Sequence, residues 1–225
     1  ELGLAAQKLY DFIWSEFCDW FIELTKGDLL DGAPGRKAAA RAVLVKVLSV
    51  LLRLLHPFMP FLTEAIYAFL PGNAQASCML SDWPAALEAD DYPVEERQME
   101  GIMDIIRAVR ALRQEMKVQP GHKARLLLRP AEGWARTLSA AQHYFQRLAS
   151  ASSVTLLTQG AQAGEKTVSA VAPAGEVLIP LGDLVDIARE IARLSAEADA
   201  LEAEIRRGEG KLENPGFLAK APAQL

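Results

Sequence analysis

The sequence predicts a mainly α chain: a helical bundle, then a small α+β unit, then a C-terminal coiled-coil helix. Three observations predict it. Apolar residues recur three and four positions apart through most of 1–117. From Val118 to about Pro180 the texture changes to short aliphatic runs divided by Gly, Pro and polar residues. Beyond that, Leu184, Ile187, Ile191, Leu194, Ala198, Leu201 and Ile205 alternate three and four apart, which is a coiled-coil seam. The corresponding divisions are 1–117, 118–180 and 181–225.

The first helix carries Leu9, Phe12, Ile13, Phe17, Trp20, Phe21 and Leu24 on one stripe, with a stop expected at Gly27. After the loop "LLDGAPG", a second helix over about 36–56 buries Val43, Val47, Val50, Leu51 and Leu54. The apolar run "LLRLLHPFMPFLTEAIYAF" cannot continue as one helix, because Pro57 and Pro60 would each cost about 3 kcal/mol or more inside it. It is expected to be two helices meeting at a corner. The first closes before Pro57 and the second opens with Pro60 at its first turn, turning Phe61, Leu62, Ala65, Ile66 and Phe69 inward as far as Leu70.

A long helix starts near Pro93, where acids complement its dipole. Ile102, Ile105, Ile106, Val109, Leu112 and Met116 form its buried stripe, while Arg107, Arg110, Gln114 and Lys117 form a polar ladder on another face. Next come a strand over 124–129, a helix over 133–149, and strands at "SVTLL", "KTVSAV" and "EVLIPL".

At 51% hydrophobic and 24% charged residues the chain has the composition of a folded globular protein, so disorder is excluded as its main state. Cys18 and Cys78 have no CxxC partner and read as core residues of a reducing compartment. No secretory leader or membrane-spanning run is expected, and the opening at Glu1, already in a helical pattern, reads as a fragment of a longer protein. His56, His122 and His143 are scattered, and "GEGK" lacks the first glycine and the Ser/Thr of a phosphate loop. No catalytic constellation is present. The net charge of −5 hides local fields of the opposite sign. Residues 36–63 hold five bases and no acid, and 101–129 hold seven bases against two acids, so nucleic-acid binding is open. Trp14, off the apolar stripe, is a possible platform for an unpaired base.

Three stretches resemble the valyl-tRNA synthetase family. "WSEFCDWFIELTK" is similar to a helix of its anticodon-binding bundle, and "LLRLLHPFMPFLTEAIYAFLP" to the corner of that domain, with Ala65 where the family usually has a second glutamate. "KLENPGFLAKAP" is similar to the turn of the family's C-terminal coiled-coil arm and points to valine specifically. The resemblance implies a tRNA-recognition region of an enzyme that uses ATP and magnesium to attach valine to its tRNA, in the cytoplasm and as a monomer. The catalytic and editing domains would precede these residues, and no cofactor is expected within them. It implies contacts to tRNA from Lys46, Arg53, Arg107, Arg110, Arg113 and Lys117, and from Arg206, Arg207 and Lys211 on the arm. The alternatives are the same region of an isoleucyl enzyme, or a coiled-coil module that binds a protein through its seam.

Overall fold

A computed structural model describes residues 1–225 apart from 73–74, 87, 159, 162, 185–186 and 213–225. It is mainly helical with one four-stranded mixed sheet. Two compact units are formed, Glu1–Pro93 and Val94–Leu225.

In the first unit, α1 (Leu2–Asp11) passes without a break through an i→i+5 stretch at Phe12–Ile22 into α2 (Glu23–Asp31). Phe17 and Trp20 are buried on it, but Phe12 is half exposed. The expected stop at Gly27 does not occur. One interior glycine costs a helix only about 1 kcal/mol, and the helix ends instead where Gly32 turns extended, in a space where a Cβ would lie 2.3 Å from the Asp28 carbonyl oxygen. Lys37 Nζ reaches back to the Leu30 carbonyl at 3.1 Å, joining α2 to α3 (Pro34–Leu55). On α3, Leu51 is buried as expected and so is Leu52, while Val43 is exposed.

The two prolines do make a corner. After α3 the amides of Phe58 and Met59 both return to the Leu55 carbonyl at 3.0 Å, and α4 (Pro60–Tyr67) begins with Pro60 in its first turn. The buried Thr63 hydroxyl locks it, donating to the Met59 carbonyl at 2.9 Å and standing 2.7 Å from His56 Nδ1. Thr63→Val would remove the partner of His56 Nδ1 and should cost about 2 kcal/mol, the penalty for a stranded buried polar group, seen as a lower urea midpoint with an unchanged slope.

The expected inward face of α4 is inverted. Thr63 and Tyr67 are the buried residues, whereas Phe61, Leu62, Ile66 and Phe69 are exposed. Polar atoms direct this choice: Tyr67 Oη bonds Ser81 Oγ at 2.9 Å, and the Glu64 carboxylate accepts the Cys78 amide at 3.1 Å. These bonds bring the short turn Cys78–Leu80 against α4, and Leu52, Tyr67 and Cys78 form a small core with Leu48 and Leu70.

In the second unit, α5 (Pro93–Glu115) buries Ile102, Ile105, Ile106, Val109 and Leu112 of the predicted stripe, while Met116, its last member, falls just past the helix end and is half-buried. Gly101 gives the close approach, because a Cβ there would fall 2.3 Å from the Trp134 ring. The sheet has the order β2-β1-β4-β3. β1 (Ala124–Pro130) runs parallel to β2 (Ala151–Leu156) and antiparallel to β4 (Gly175–Pro180), which also pairs antiparallel with β3 (Thr167–Ala172). The expected helix over 133–149 is two, α6 (Ala135–Ala140) and α7 (Gln142–Leu148), because Ala141 leaves the helical region at ψ 3°.

Leu184 does not open the coiled-coil seam. It is buried in α8 (Leu181–Leu184), a turn continuing directly from the central strand β4. The seam helix, α9 (Ile187–Leu212), exposes Ile191, Leu201 and Ile205. The "KLENPGFLAKAP" turn, from residue 213 on, lies outside the described residues.

Candidate nucleic-acid interface

The predicted cations fall into three groups. On α3, Lys46 and Arg53 are two turns apart and line one groove of about 400 Å³ with Ser49, Tyr67 and Asp82. Lys46 Nζ is held by both oxygens of Asp90 at 2.7 and 2.8 Å, and the Arg53 guanidinium donates to the carbonyls of Ser49 and Asp82 at 3.2 and 3.1 Å. The groove thus presents cations that are pre-positioned. An exposed Lys–Asp pair contributes little to stability, so Lys46 can exchange Asp90 for a phosphate at small cost.

On α5, Arg107 and Arg110 project into solvent as the ladder predicts. Arg107 pairs with Asp104 at 2.8 Å, and Arg110 Nε donates to the carbonyl of Leu148 at the end of α7 at 3.0 Å. Lys117 is exposed just past the helix, at φ +52°. Arg113 does not share this face. It is buried, donates to the carbonyls of Gln119 and His122 at 3.1 and 2.6 Å, and has its pKa lowered by desolvation. Its role in the structure is to hold the 117–123 loop onto α5. The sequence carries a signal for this: Ile106, Val109 and Arg113 are spaced three and four apart, which puts Arg113 on the apolar stripe.

Two other arginines of the basic run are also engaged. Arg129 pairs with Glu176 across β1 and β4. Arg125 donates from Nε and Nη2 to the two oxygens of Asp183 at 2.8 and 2.9 Å, from its amide to Asp183 at 3.0 Å, and pairs with Glu165 at 3.1 Å. The His122 ring adds a 2.5 Å bond to the Asp183 carbonyl. These bonds fasten α8, the root of the arm, to β1. Two exposed cations that sequence reasoning passed over are Arg41 on α3 and Lys123 at the start of β1. Both lie in the basic runs that drew attention to their neighbours.

Hydrogen bonds from Arg125 hold the Asp183 carboxyl below its ordinary value of 3.8. A depressed native pKa means that the stabilisation is complete above the unfolded value and is lost as pH falls through the native one. The protection of the Arg125 amide against hydrogen exchange, taken relative to a free peptide at the same pH, should therefore fall on acidification below about pH 4. Asp183→Asn should make that amide exchange faster already at neutral pH.

On the arm, Arg206 lies 3.6 Å from Glu202, and Arg207 Nε donates to the Ala203 carbonyl at 3.2 Å. Both are exposed; Lys211 belongs to the last turn of α9. Trp14 is exposed and stacks on Tyr10, itself exposed, with ring centroids 6.2 Å apart and planes 8° from parallel. Among the described residues no three His, Cys, Asp or Glu side chains converge as a metal site would require. Among them, no helix is long and apolar enough to cross a membrane.

Cations displayed along helix faces suit a bound polyanion. Residues 1–128 match the family described as the anticodon-binding domain of tRNA ligase. The chain belongs to that family. Residues 186–225 of this anticodon-binding chain match a second family, described as the valyl tRNA synthetase tRNA binding arm.

Relatives match from end to end. A valine–tRNA ligase of Clostridium acetobutylicum is 44% identical over 225 residues, which are 100% of this chain and 25% of that protein. The valine–tRNA ligase of Clostridium perfringens is 42% identical over 222 residues, covering 99% and 25%. That of Bacillus subtilis is 37% identical over 226, covering 100% and 26%. The anticodon-binding chain thus spans about a quarter of the length of the curated relatives it matches.

Proposed function

We propose that this chain is the tRNA-reading part of a valine–tRNA ligase. The observation that carries the reading is the order of the two matches, an anticodon-binding domain over 1–128 and a valyl arm over 186–225, within a chain similar throughout to valine–tRNA ligases. The three relatives named act on valine, which favours valine over isoleucine. In this reading Lys46, Arg53, Arg107, Arg110 and Lys117 meet the phosphates of the anticodon stem and loop, and Arg206, Arg207 and Lys211 meet the outer corner of the tRNA. Arg113 serves the same surface by fixing the loop after Lys117.

The functional divisions are 1–117, 118–180 and 181–225, so α5 serves the anticodon-reading part while folding with the sheet. The remainder of the enzyme supplies catalysis and editing, and ATP and magnesium act there; no residue of this chain is assigned to them. The whole enzyme is placed in the cytoplasm as a monomer.

The test is binding of the chain to a valine tRNA transcript, an isoleucine tRNA transcript and a valine tRNA with a substituted anticodon, each over a salt series. Preference for the intact valine tRNA, lost with the anticodon change and weakening with salt, is the expected result. Equal binding to all three would reduce the chain to a sequence-independent phosphate binder and overturn the anticodon reading.

A further inference from the structure

Asp183 stands at the root of the arm, where an acid is electrostatically wrong for a polyanionic ligand. The Arg125 guanidinium grips it at two points, Nε donating to Oδ2 at 2.8 Å and Nη2 to Oδ1 at 2.9 Å, and the Arg125 amide adds a third bond at 3.0 Å. The His122 ring meets the carbonyl of the same residue at 2.5 Å. Glu165 pairs with the same guanidinium at 3.1 Å. Held by two carboxylates, Arg125 has its charge committed within the protein.

These bonds supply orientation more than stability. The Arg125 side chain is 46% exposed, and ion pairs open to solvent add little to folding. The root has other anchors: Leu184 is buried, and the Leu181 amide donates to the Lys166 carbonyl at 2.9 Å. Apolar burial is non-directional, so it holds the root on the sheet without fixing the angle at which the chain leaves it. A two-point fork between planar groups does fix an angle.

The angle matters because of the length beyond it. α9 begins at Ile187, and only 185–186 lie between it and α8. Its 26 residues make a helix about 39 Å long, with Arg206, Arg207 and Lys211 roughly 28 to 36 Å along it. A swing of about 10° at the root would move those cations by about 5 to 6 Å. That is about twice the length of a charge-assisted hydrogen bond to phosphate, roughly 2.8 Å.

We propose that Asp183 is a positioning residue for tRNA: with Arg125 and His122 it sets the angle of the arm in advance, so that Arg206, Arg207 and Lys211 reach the tRNA without first having to be ordered. The proposal rests on the reading of residues 186–225 as a tRNA-binding arm. It gives an acid a part in binding a polyanion. The coupling is reciprocal, so whatever factor a fastened root adds to tRNA affinity, bound tRNA returns as tighter fastening of the root.

The test measures binding of the 225-residue chain to a valine tRNA transcript and to its isolated anticodon stem-loop. Asp183→Ala should weaken binding of the whole tRNA roughly tenfold, the cost of ordering about one backbone residue at the hinge. The salt slope should not change, because no phosphate contact is lost, and affinity for the stem-loop should stay as it was. An effect of charge alone has the opposite sign, since removing an acid tightens the hold on a polyanion. Arg125→Gln should match Asp183→Ala, and the two together should cost no more than either. Unchanged or tighter binding of the whole tRNA by Asp183→Ala, an equal loss with the stem-loop, or a slope lowered by about 1 in Arg125→Gln would overturn the proposal. A second measurement needs no substitution. Saturating valine tRNA should raise the protection of the Arg125 amide against hydrogen exchange roughly tenfold, and the stem-loop should not; protection unmoved by the whole tRNA would overturn the proposal too. Failure of the anticodon reading appears instead as equal affinity of the unsubstituted chain for the three tRNAs above, whatever the Asp183 variant shows.

Discussion

Replacing Arg107 and Lys117 together by glutamine is expected to weaken tRNA binding by the 225-residue chain roughly twenty-five-fold at about 0.15 M salt. Each phosphate contact releases condensed counterions, so each lost contact also lowers the slope of log affinity against log salt by about 1. The double variant should lose about 2 from that slope. These two residues suit the test because the fold depends little on them: the Arg107–Asp104 pair is exposed, and Lys117 is exposed beyond the end of α5. Arg110 is less suitable, since it also holds the last carbonyl of α7. A drop in affinity with an unchanged slope would show that the contacts are not to phosphate. No change in either would remove the α5 face from the interface and leave binding to α3 and the arm.

That face is legible in the sequence because periodicity reports directly on it. Ile102, Ile105, Ile106, Val109 and Leu112 mark one side of a helix, so Arg107 and Arg110 have to fall elsewhere. The same logic goes astray at Arg113, where the residue type suggests solvent and the spacing suggests the core. The spacing is right, because the loop after α5 offers carbonyls that a buried guanidinium can satisfy. Charge counting fails for Arg125 and Arg129 for a related reason: their partners Asp183, Glu165 and Glu176 are 40 to 58 residues away in sequence. No window along the chain reveals such a pair.

The corner shows the limit of apolar patterning. Two prolines dictate where α3 stops and α4 starts, and the chain obeys. Which side of α4 turns inward is decided by Thr63, Tyr67 and Glu64, whose partners come from the corner and from the turn near Cys78. A hydrophobic count favours the other side because it treats a hydroxyl as a solvent group, even where a tertiary partner waits for it. At the arm root the heptad rule overreaches by one residue. Leu184 has the right spacing for the seam, but α8 is still the continuation of a central strand, and the sheet claims its side chain.

Gly175→Ala is expected to destabilise the second unit by about 3 kcal/mol or more, combining backbone strain with overpacking. Gly175 opens β4 at φ +150°, which a residue with a Cβ rarely adopts, and it sits opposite Pro130 at the end of β1. An added Cβ would lie 2.5 Å from the Arg129 carbonyl oxygen and 3.0 Å from Pro130 Cα. Both are backbone atoms of a strand fixed on its two sides by β2 and β4, so neither can swing aside as the end of a long side chain could. The neighbouring connections share the strain: the Ala131 amide donates to the Ala174 carbonyl at 3.0 Å, and Arg129 pairs with Glu176 one residue on. Urea unfolding should show the loss as a lower midpoint with the slope retained. Because β4 leads straight into α8, the variant should also expose the arm root to protease before the rest of the unit unfolds. A cost below about 1 kcal/mol would mean that the β3–β4 turn relaxes freely, and the sheet would then be a looser anchor for the arm than its hydrogen bonds indicate.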